Sequence, residues 1–401
     1  MSVKDPGDIQ RRRFMGKAAM ALGASFFAPL ASAEGKSETL RIGYLPITDA
    51  APLLIAHSLG FFMEQGLTVP RPVMVRSWNV LTESFIAGKF DLTHMLFPIP
   101  VWMRFKQKIP VKVLGWDHTN GSALTVRGDS HIRGFADLGG CQIAVPSWYS
   151  THNLVVQLAI RAQGLVPVIR PQNAPLGPNE VNLFILSPPE MPPALLGRKI
   201  DGFIVAEPFN ALAEIKLKAR IMRFTGDIWK NHPCCVIVSR ESLTRTRPAL
   251  VQRAVNAVVR AQIWCEHNRE EAAHILSRDG AGYLPVRADV LKRVFTGYDF
   301  KAYTTGPLPR AIVHPEWKVD RIGFQPYPFA SATRFILEQM GKTLVEGDTG
   351  FLKNLDLEWA RGELVDDRFV RKAMVNNQNH GDFFPLGPTA SLEREETIEI
   401  N

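Results

Sequence analysis

Two short polar runs carry the side chains best suited to holding a small ligand. Trp116-Asp117-His118-Thr119-Asn120-Gly121-Ser122 follows the apolar run at 111–114, and Pro146-Ser147-Trp148-Tyr149-Ser150-Thr151-His152-Asn153 follows the run at 143–145. Ser150 and Thr151 stand where a helix is expected to begin. A helix N-terminus presents free N–H groups and the positive end of the helix dipole, so an anion is well placed there. Plain N-capping selects the same residue types. Trp78 either walls a pocket through its ring face or indole N–H, or sits in the core. His118 and His152 are potential bases. Glu207, at the end of another apolar run, either faces a cation or pins a loop. Thr48 and Asp49 follow the run at 40–44, and capping a helix that starts near Pro52 is the preferred reading for Asp49.

Patterns that would announce catalysis are missing. GxSxG, HExxH, GxxxxGK[ST] and GxGxxG do not occur in the chain. The cysteines are Cys141, Cys234, Cys235 and Cys265, without a CxxC, so zinc-ribbon and thioredoxin-type spacing is lacking. Vicinal Cys234-Cys235 after His232-Pro233 would suit a soft metal. The plainer reading, a buried strand with cysteine as a small hydrophobe, is preferred. The His residues show no ligand spacing. No catalytic residue, metal or cofactor is therefore assigned.

The elements that must position these residues alternate in type. Strands are expected at 40–44, 73–75, 91–96, 111–114, 143–145, 183–186 and 202–205. Helices are expected at 52–62, 79–87, 152–162, 191–196 and 250–266. Short β runs alternating with helices indicate an α/β fold. Open sheets of that class bind ligands beyond the carboxyl ends of their strands, which is where both polar runs lie. One phrase recurs: Gly88-Lys89-Phe90-Asp91 and Gly197-Arg198-Lys199-Ile200-Asp201 each place a helix-ending glycine and a basic residue before an Asp that opens a strand. Two similar halves follow from it. The expected organisation is a first lobe from 39–124, a second lobe from 125–236, a return to the first lobe with C-terminal helices over 237–375, and a polar, frayed tail at 376–401. The hinge is expected at Gly121–Gly128 and Cys235–Ser239.

Residues 1–33 read as an address. Arg11-Arg12-Arg13-Phe14-Met15 precedes a modest apolar run, Ala18 to Leu30, and then Ala31-Ser32-Ala33. This layout is that of a cleaved signal peptide, and the arginine pair resembles a twin-arginine export signal. The periplasm is the expected compartment. The formal charge of the whole chain is +8, and the first 33 residues hold a net +3 of it. The rest is mildly positive, with no Lys/Arg block of the kind nucleic-acid binding needs.

Leu40-Arg41-Ile42-Gly43-Tyr44-Leu45-Pro46-Ile47-Thr48-Asp49-Ala50-Ala51-Pro52 resembles the opening of the nitrate- and bicarbonate-binding proteins of ABC importers. Ser77-Trp78, His94-Met95-Leu96, Ser187-Pro188-Pro189-Glu190-Met191, and Asp201-Gly202-Phe203 with Glu207-Pro208-Phe209-Asn210 are similar to the same branch of the nitrate/sulfonate/bicarbonate family. The resemblance is strongest over residues 39–240. It implies a two-lobed periplasmic-binding-protein fold of type II, with a hinge and an interlobe cleft. The function it implies is capture of a small anion and delivery to a membrane permease with its ATPase, by a monomeric binding component. The cleft residues are expected to be Thr48, Trp78, His118, Gly121, Trp148, Ser150, Thr151, His152 and Glu207, with Trp78 and Trp148 closing the pocket from opposite lobes. The run at 117–122 departs from the nitrate branch, and no anion-pairing lysine stands in a recognisable motif, which leaves the acid's identity open. A sensor of the same fold, and an enzyme akin to pyrimidine-precursor synthesis proteins, are the alternatives.

Overall fold

Runs that are apolar on both faces become strands covered from both sides. In the computed structural model, which describes residues 38–172, 174–305, 310–380 and 392–400, Leu92–Leu96, Ser122–Val126 and Gly202–Ala206 are buried at every position. The export signal read at 1–33 lies outside the described residues.

Two sheets organise the chain. The first has five strands in the order Val73–Met74, Ile42–Tyr44, Leu92–Leu96, Cys235–Arg240, Val111–Trp116. The second has six, in the order Val166–Val168, Glu180–Ile185, Gln142–Val145, Gly202–Ala206, Ser122–Val126, Arg220–Phe224. Each is parallel until one antiparallel strand intervenes next to the last position: Cys235–Arg240 in the first sheet, Ser122–Val126 in the second. Each of these two strands is reached directly from the other sheet. The chain thus exchanges one strand in each direction, and the fold is the expected two-lobed α/β type.

The recurring Gly-to-Asp phrase has a shared structural job. Asp91 N–H donates to Arg41 O at 2.8 Å, and Arg41 N–H donates back to Asp91 Oδ2 at 3.0 Å. Asp201 N–H donates to Gln142 O at 2.9 Å, and Gln142 N–H returns to Asp201 Oδ2 at 2.8 Å. Each Asp locks the start of its strand to the neighbouring parallel strand, one in each sheet. In the first sheet the latch is strengthened by the Arg41 and Arg240 guanidinium groups.

Several boundaries differ from expectation. Positions 125 and 237, expected in the hinge, are inside strands. The chain passes between sheets over 117–121 and 225–234. The helix expected at 52–62 is two helices, Ala51–Ser58 and Phe61–Glu64, because Gly60 adopts φ 75° between them. Neither Thr48 nor Asp49 caps a helix with its side chain. The strands Val166–Val168 and Arg220–Phe224 were not anticipated: the first is short and holds a proline, and the second carries two arginines. Part of the tail is docked rather than frayed. Lys230 N–H donates to Thr397 O at 3.0 Å, Glu399 N–H donates to Ile228 O at 2.9 Å, and Trp229 Nε1–H donates to Glu396 Oε2 at 2.7 Å.

The return segment covers the first sheet. Its helix Pro248–His267 packs on Ala51–Ser58 and on Arg368–Asn376. It also reaches the second sheet, where Tyr303, Ala311 and Ile312 bury Ile221 and Phe224. No helix among the described residues is long and apolar enough to cross a membrane.

The latch yields a prediction. Burial raises the Asp91 carboxyl, but bonds from Arg41 and Arg240 more than offset it and hold the group below its ordinary value. Its stabilisation is therefore full above about pH 4 and is lost as pH falls through the lowered value. Asp91→Ala is expected to cost about 2 kcal/mol in urea denaturation at neutral pH, and Asp91→Asn to flatten the acid limb of the stability profile. An unchanged midpoint in both variants contradicts the latch.

Candidate functional site

The two crossings bring polar residues from both sheets into one buried knot. Asp49 comes from the turn after Ile42–Tyr44, His94 from the middle of Leu92–Leu96, and Asp117 and His118 from the outgoing crossing. Ser122 opens the inserted strand of the second sheet. Thr151 and His152 begin the helix Thr151–Ala162. His232, Cys234 and Cys235 come from the returning crossing. All are buried.

The centre of the knot is an ion pair. His118 Nε2 lies 2.8 Å from Asp49 Oδ2, and both side chains are fully buried. The Cys235 amide nitrogen is 3.2 Å from the same ring nitrogen. Cys234 Sγ sits 3.5 Å from Asp49 Oδ2, 3.8 Å from His152 Nε2 and 3.8 Å from Ser122 Oγ. His152 Nε2 and Ser122 Oγ are 2.9 Å apart. His94 Nε2 accepts the Leu45 N–H at 3.0 Å, and its ring stands edge-on to Trp78 with centroids 5.6 Å apart.

Burial and charge act against each other here. Burial pushes the Asp49 carboxyl up to about 6, tempered by His118. Burial alone would lower His118, yet the Asp49 charge holds it well above the ordinary imidazole value. Burial would also raise the Cys234 thiol, but its hydrogen bond with Cys235 and the nearby His152 and His118 draw it well below its usual value. His94, buried beside the His118 charge, is pushed down to about 3 and stays neutral.

Several polar atoms in or beside this knot have no protein hydrogen-bond partner among the described residues. They are Asp49 Oδ1, Trp78 Nε1, His94 Nδ1, Thr151 Oγ1, His152 Nδ1 and both Asp117 oxygens. A buried polar group left unpaired costs roughly 1–3 kcal/mol, so a cluster of them marks a place where a polar guest is favoured.

The residues expected in the cleft divide into two sets. Trp78, His118, Thr151 and His152 surround the knot. Gly121, at φ 74°, abuts the His118 ring, 3.1 Å from where a Cβ would stand. The others are committed elsewhere. Thr48 donates through both N–H and Oγ1 to Glu207 O, at 2.8 and 3.1 Å, tying one sheet's loop to the other's. The Ser150 hydroxyl donates to Ser147 O and accepts Asn153 N–H, so it is a cap. Trp148 is half-buried and donates to Glu346 at 3.3 Å. It does not face Trp78 across a pocket. Glu207 is committed within the protein, its two oxygens accepting from Arg321 and the Ala211 N–H.

Asp49, His94 and Cys234 also stand in the knot, where the sequence alone does not place them. Asp49 was assigned to a cap, and Cys234 was read as a hydrophobe. For His94 the available signal was a titratable side chain in an otherwise apolar strand.

Comparison with known proteins gives the family and the fold. The NMT1-like family matches residues 33–277, more than half of the chain. The chain belongs to the NMT1-like family. Among relatives, the nitrate/nitrite binding protein NrtA of Nostoc is 28% identical over 65% of this chain and 61% of its own length. The nitrate import ATP-binding protein NrtC of Synechocystis is 28% identical over 63% of this chain and 39% of its own length. The chain therefore spans less than two thirds of these relatives. The crystal structure of the periplasmic nitrate-binding protein NrtA from Synechocystis superposes with a TM-score of 0.69 at 20% identity, covering 90% of this chain and 94% of that one. This NMT1-like chain shares its fold.

The Glu207–Arg321 pair supplies a second prediction. Both side chains are almost wholly buried, so removing one partner strands a charge. Arg321→Ala is expected to destabilise the protein by about 3–5 kcal/mol in chemical denaturation, with the double variant Glu207→Gln/Arg321→Met recovering much of the loss. A loss below about 1 kcal/mol, the scale of an exposed pair, contradicts the clamp.

Proposed function

We propose that this chain is the solute-binding component of an ABC importer, that it takes a small anion between its two sheets, and that it catalyses no reaction. The observation that carries this reading is the pair of buried, unpartnered donors beside the crossings. Trp78 Nε1–H comes from the first sheet's side and Thr151 Oγ1–H from the second's. The N–H groups of the helix Thr151–Ala162 begin beside Thr151, and the Asp49 carboxyl raises His118 well above the ordinary imidazole value. An oxyanion reaching these groups exchanges lost hydration for fixed dipoles. Because the donors belong to both halves, binding favours the closed arrangement over an open one, the usual switch of two-lobed binders.

The relatives support the same reading. NrtA is named for binding nitrate and nitrite, and NrtC for the ATP-binding side of nitrate import. Nitrate and nitrite are accordingly the first ligands to try, followed by bicarbonate and sulfonates. Export through the twin-arginine signal at residues 11–15, a periplasmic site of action and delivery to a permease by a monomer complete the proposal.

A thermal-shift and calorimetric screen of the purified chain tests it. A ligand at a hundred times its dissociation constant stabilises by about 2.7 kcal/mol. Trp78→Phe and Thr151→Val each remove one unpartnered donor and are expected to weaken binding by about 1 kcal/mol or more, whereas Trp148→Ala leaves it nearly unchanged. Failure of every small anion to stabilise the protein contradicts the reading. So does a ligand whose affinity drops with Trp148→Ala but not with Trp78→Phe or Thr151→Val.

A further inference from the structure

Four of the knot's side chains are of the kinds that bind borderline-soft cations, and they come from separate stretches of chain. Asp49 lies after the first strand, His118 on the outgoing crossing, and Cys234 and Cys235 on the returning one. Each offers one donor atom, all four residues are buried, and the donor atoms lie within 4.8 Å of one another. We propose that Asp49, His118, Cys234 and Cys235 together bind a single Zn2+-class cation.

The chemistry of the donor set favours this class. Zinc takes thiolate, imidazole and carboxylate ligands in a tetrahedron, with bonds of about 2.0–2.3 Å. Such bonds place ligand atoms closer together than 4.8 Å, so the site tightens by small side-chain movements. Hard cations such as Mg2+ and Ca2+ prefer all-oxygen shells, and a site with two sulfurs and one nitrogen discriminates against them. Alternating strand geometry does not keep the sulfurs apart, because Cys234 precedes the strand that Cys235 opens. Both thiols are free, as are those of Cys141 and Cys265, which lie elsewhere.

The site also has a surrounding shell. His152 and Ser122 approach Cys234 from the second sheet's side, and His118 Nδ1 lies 3.4 Å from Thr119 O; the Cys235 N–H, now against His118 Nε2, gives way when a metal takes that nitrogen. Asp49 Oδ1 has no hydrogen-bond partner among the described residues and is the second arm of the carboxylate. Because the ligands span both crossings, the cation would fix the outgoing and returning chains to the end of the first sheet. The site stands on its own donors but shares Asp49 and His118 with the anion proposal: as a ligand His118 would be a neutral imidazole, and the cation would supply the positive charge in its place.

Cobalt substitution tests it directly. The full chain is reduced, stripped with a chelator and titrated with Co2+ alone, then with Zn2+ in competition, with no anionic ligand added. One Co2+ per chain is expected, with a thiolate-to-metal charge-transfer band and the intense visible bands of a tetrahedral site, all erased by Zn2+. Cys234→Ser, Cys235→Ser and Asp49→Asn are each expected to weaken binding by at least about tenfold, a scale that even outer-shell groups reach. Cys141→Ser and Cys265→Ser leave the spectrum unchanged, and circular dichroism checks that each variant folds. If the cysteine variants misfold, Asp49→Asn and His118→Gln carry the test. Absence of the charge-transfer band, its persistence in the folded ligand variants, or a Cys234–Cys235 disulfide that resists reduction in the folded protein overturns the site. The anion screen is run both with the chelator and with Zn2+, so that failure of one proposal is told apart from failure of the other.

Discussion

The Asp49–His118 pair, wholly buried where the chain crosses between its two sheets, is the interaction around which the rest is arranged. Taking two charges out of water costs several kcal/mol per ion, and a buried pair returns that cost only when its geometry is close and its remaining polar atoms are served. The geometry is close, yet Asp49 Oδ1 is not served by any described protein group. The pair is therefore poorly explained as a source of stability. It is well explained as a device that keeps an imidazole of raised basicity and a carboxylate oxygen without a described partner at the junction of the halves. Cys234 Sγ lies 3.5 Å from Asp49 Oδ2 and beside His152 and Ser122, so it belongs to the same cluster.

Around that junction the fold repeats itself. Each sheet is opened by an Asp latch on a neighbouring parallel strand, and each receives one antiparallel strand from the opposite side. Exchange of strands forces both crossings into the interior, which is why polar groups accumulate there. Their backbone needs are met locally. Thr48 binds Glu207 O, and Glu207 N–H donates to Gly121 O at 2.8 Å. The side-chain donors that remain are the ones free to receive a guest.

Much of the frame was legible because it rests on local rules. Apolar runs, helix-ending glycines and the repeated Gly-to-Asp phrase located most strands and predicted two halves. The crossings were displaced by a few residues for a physical reason. Ser122–Val126 and Cys235–Arg240 are apolar enough to be strands, and they complete the opposite sheets instead of bridging them. The site was half legible. Residues at strand ends, such as His118, and at a helix start, such as Thr151 and His152, follow a positional rule. Asp49, His94 and Cys234 do not, since their partners lie 69, 24 or 185 residues distant in such pairs as His118 with Asp49, His118 with His94 and Cys234 with Asp49. Trp148 and Glu207 show the converse. Their positions suited a cleft, but Glu346 and Arg321, both far along the chain, claim them.

The central claim is that a solute is held where the chain crosses between its sheets. Hydrogen exchange followed by mass spectrometry, with and without nitrate or whichever small anion binds in the screen, tests it most directly. The account predicts slowed exchange in peptides covering both 117–121 and 225–234, together with the start of the helix Thr151–Ala162. Binding that leaves both crossings unprotected and slows exchange only at surface segments would contradict it.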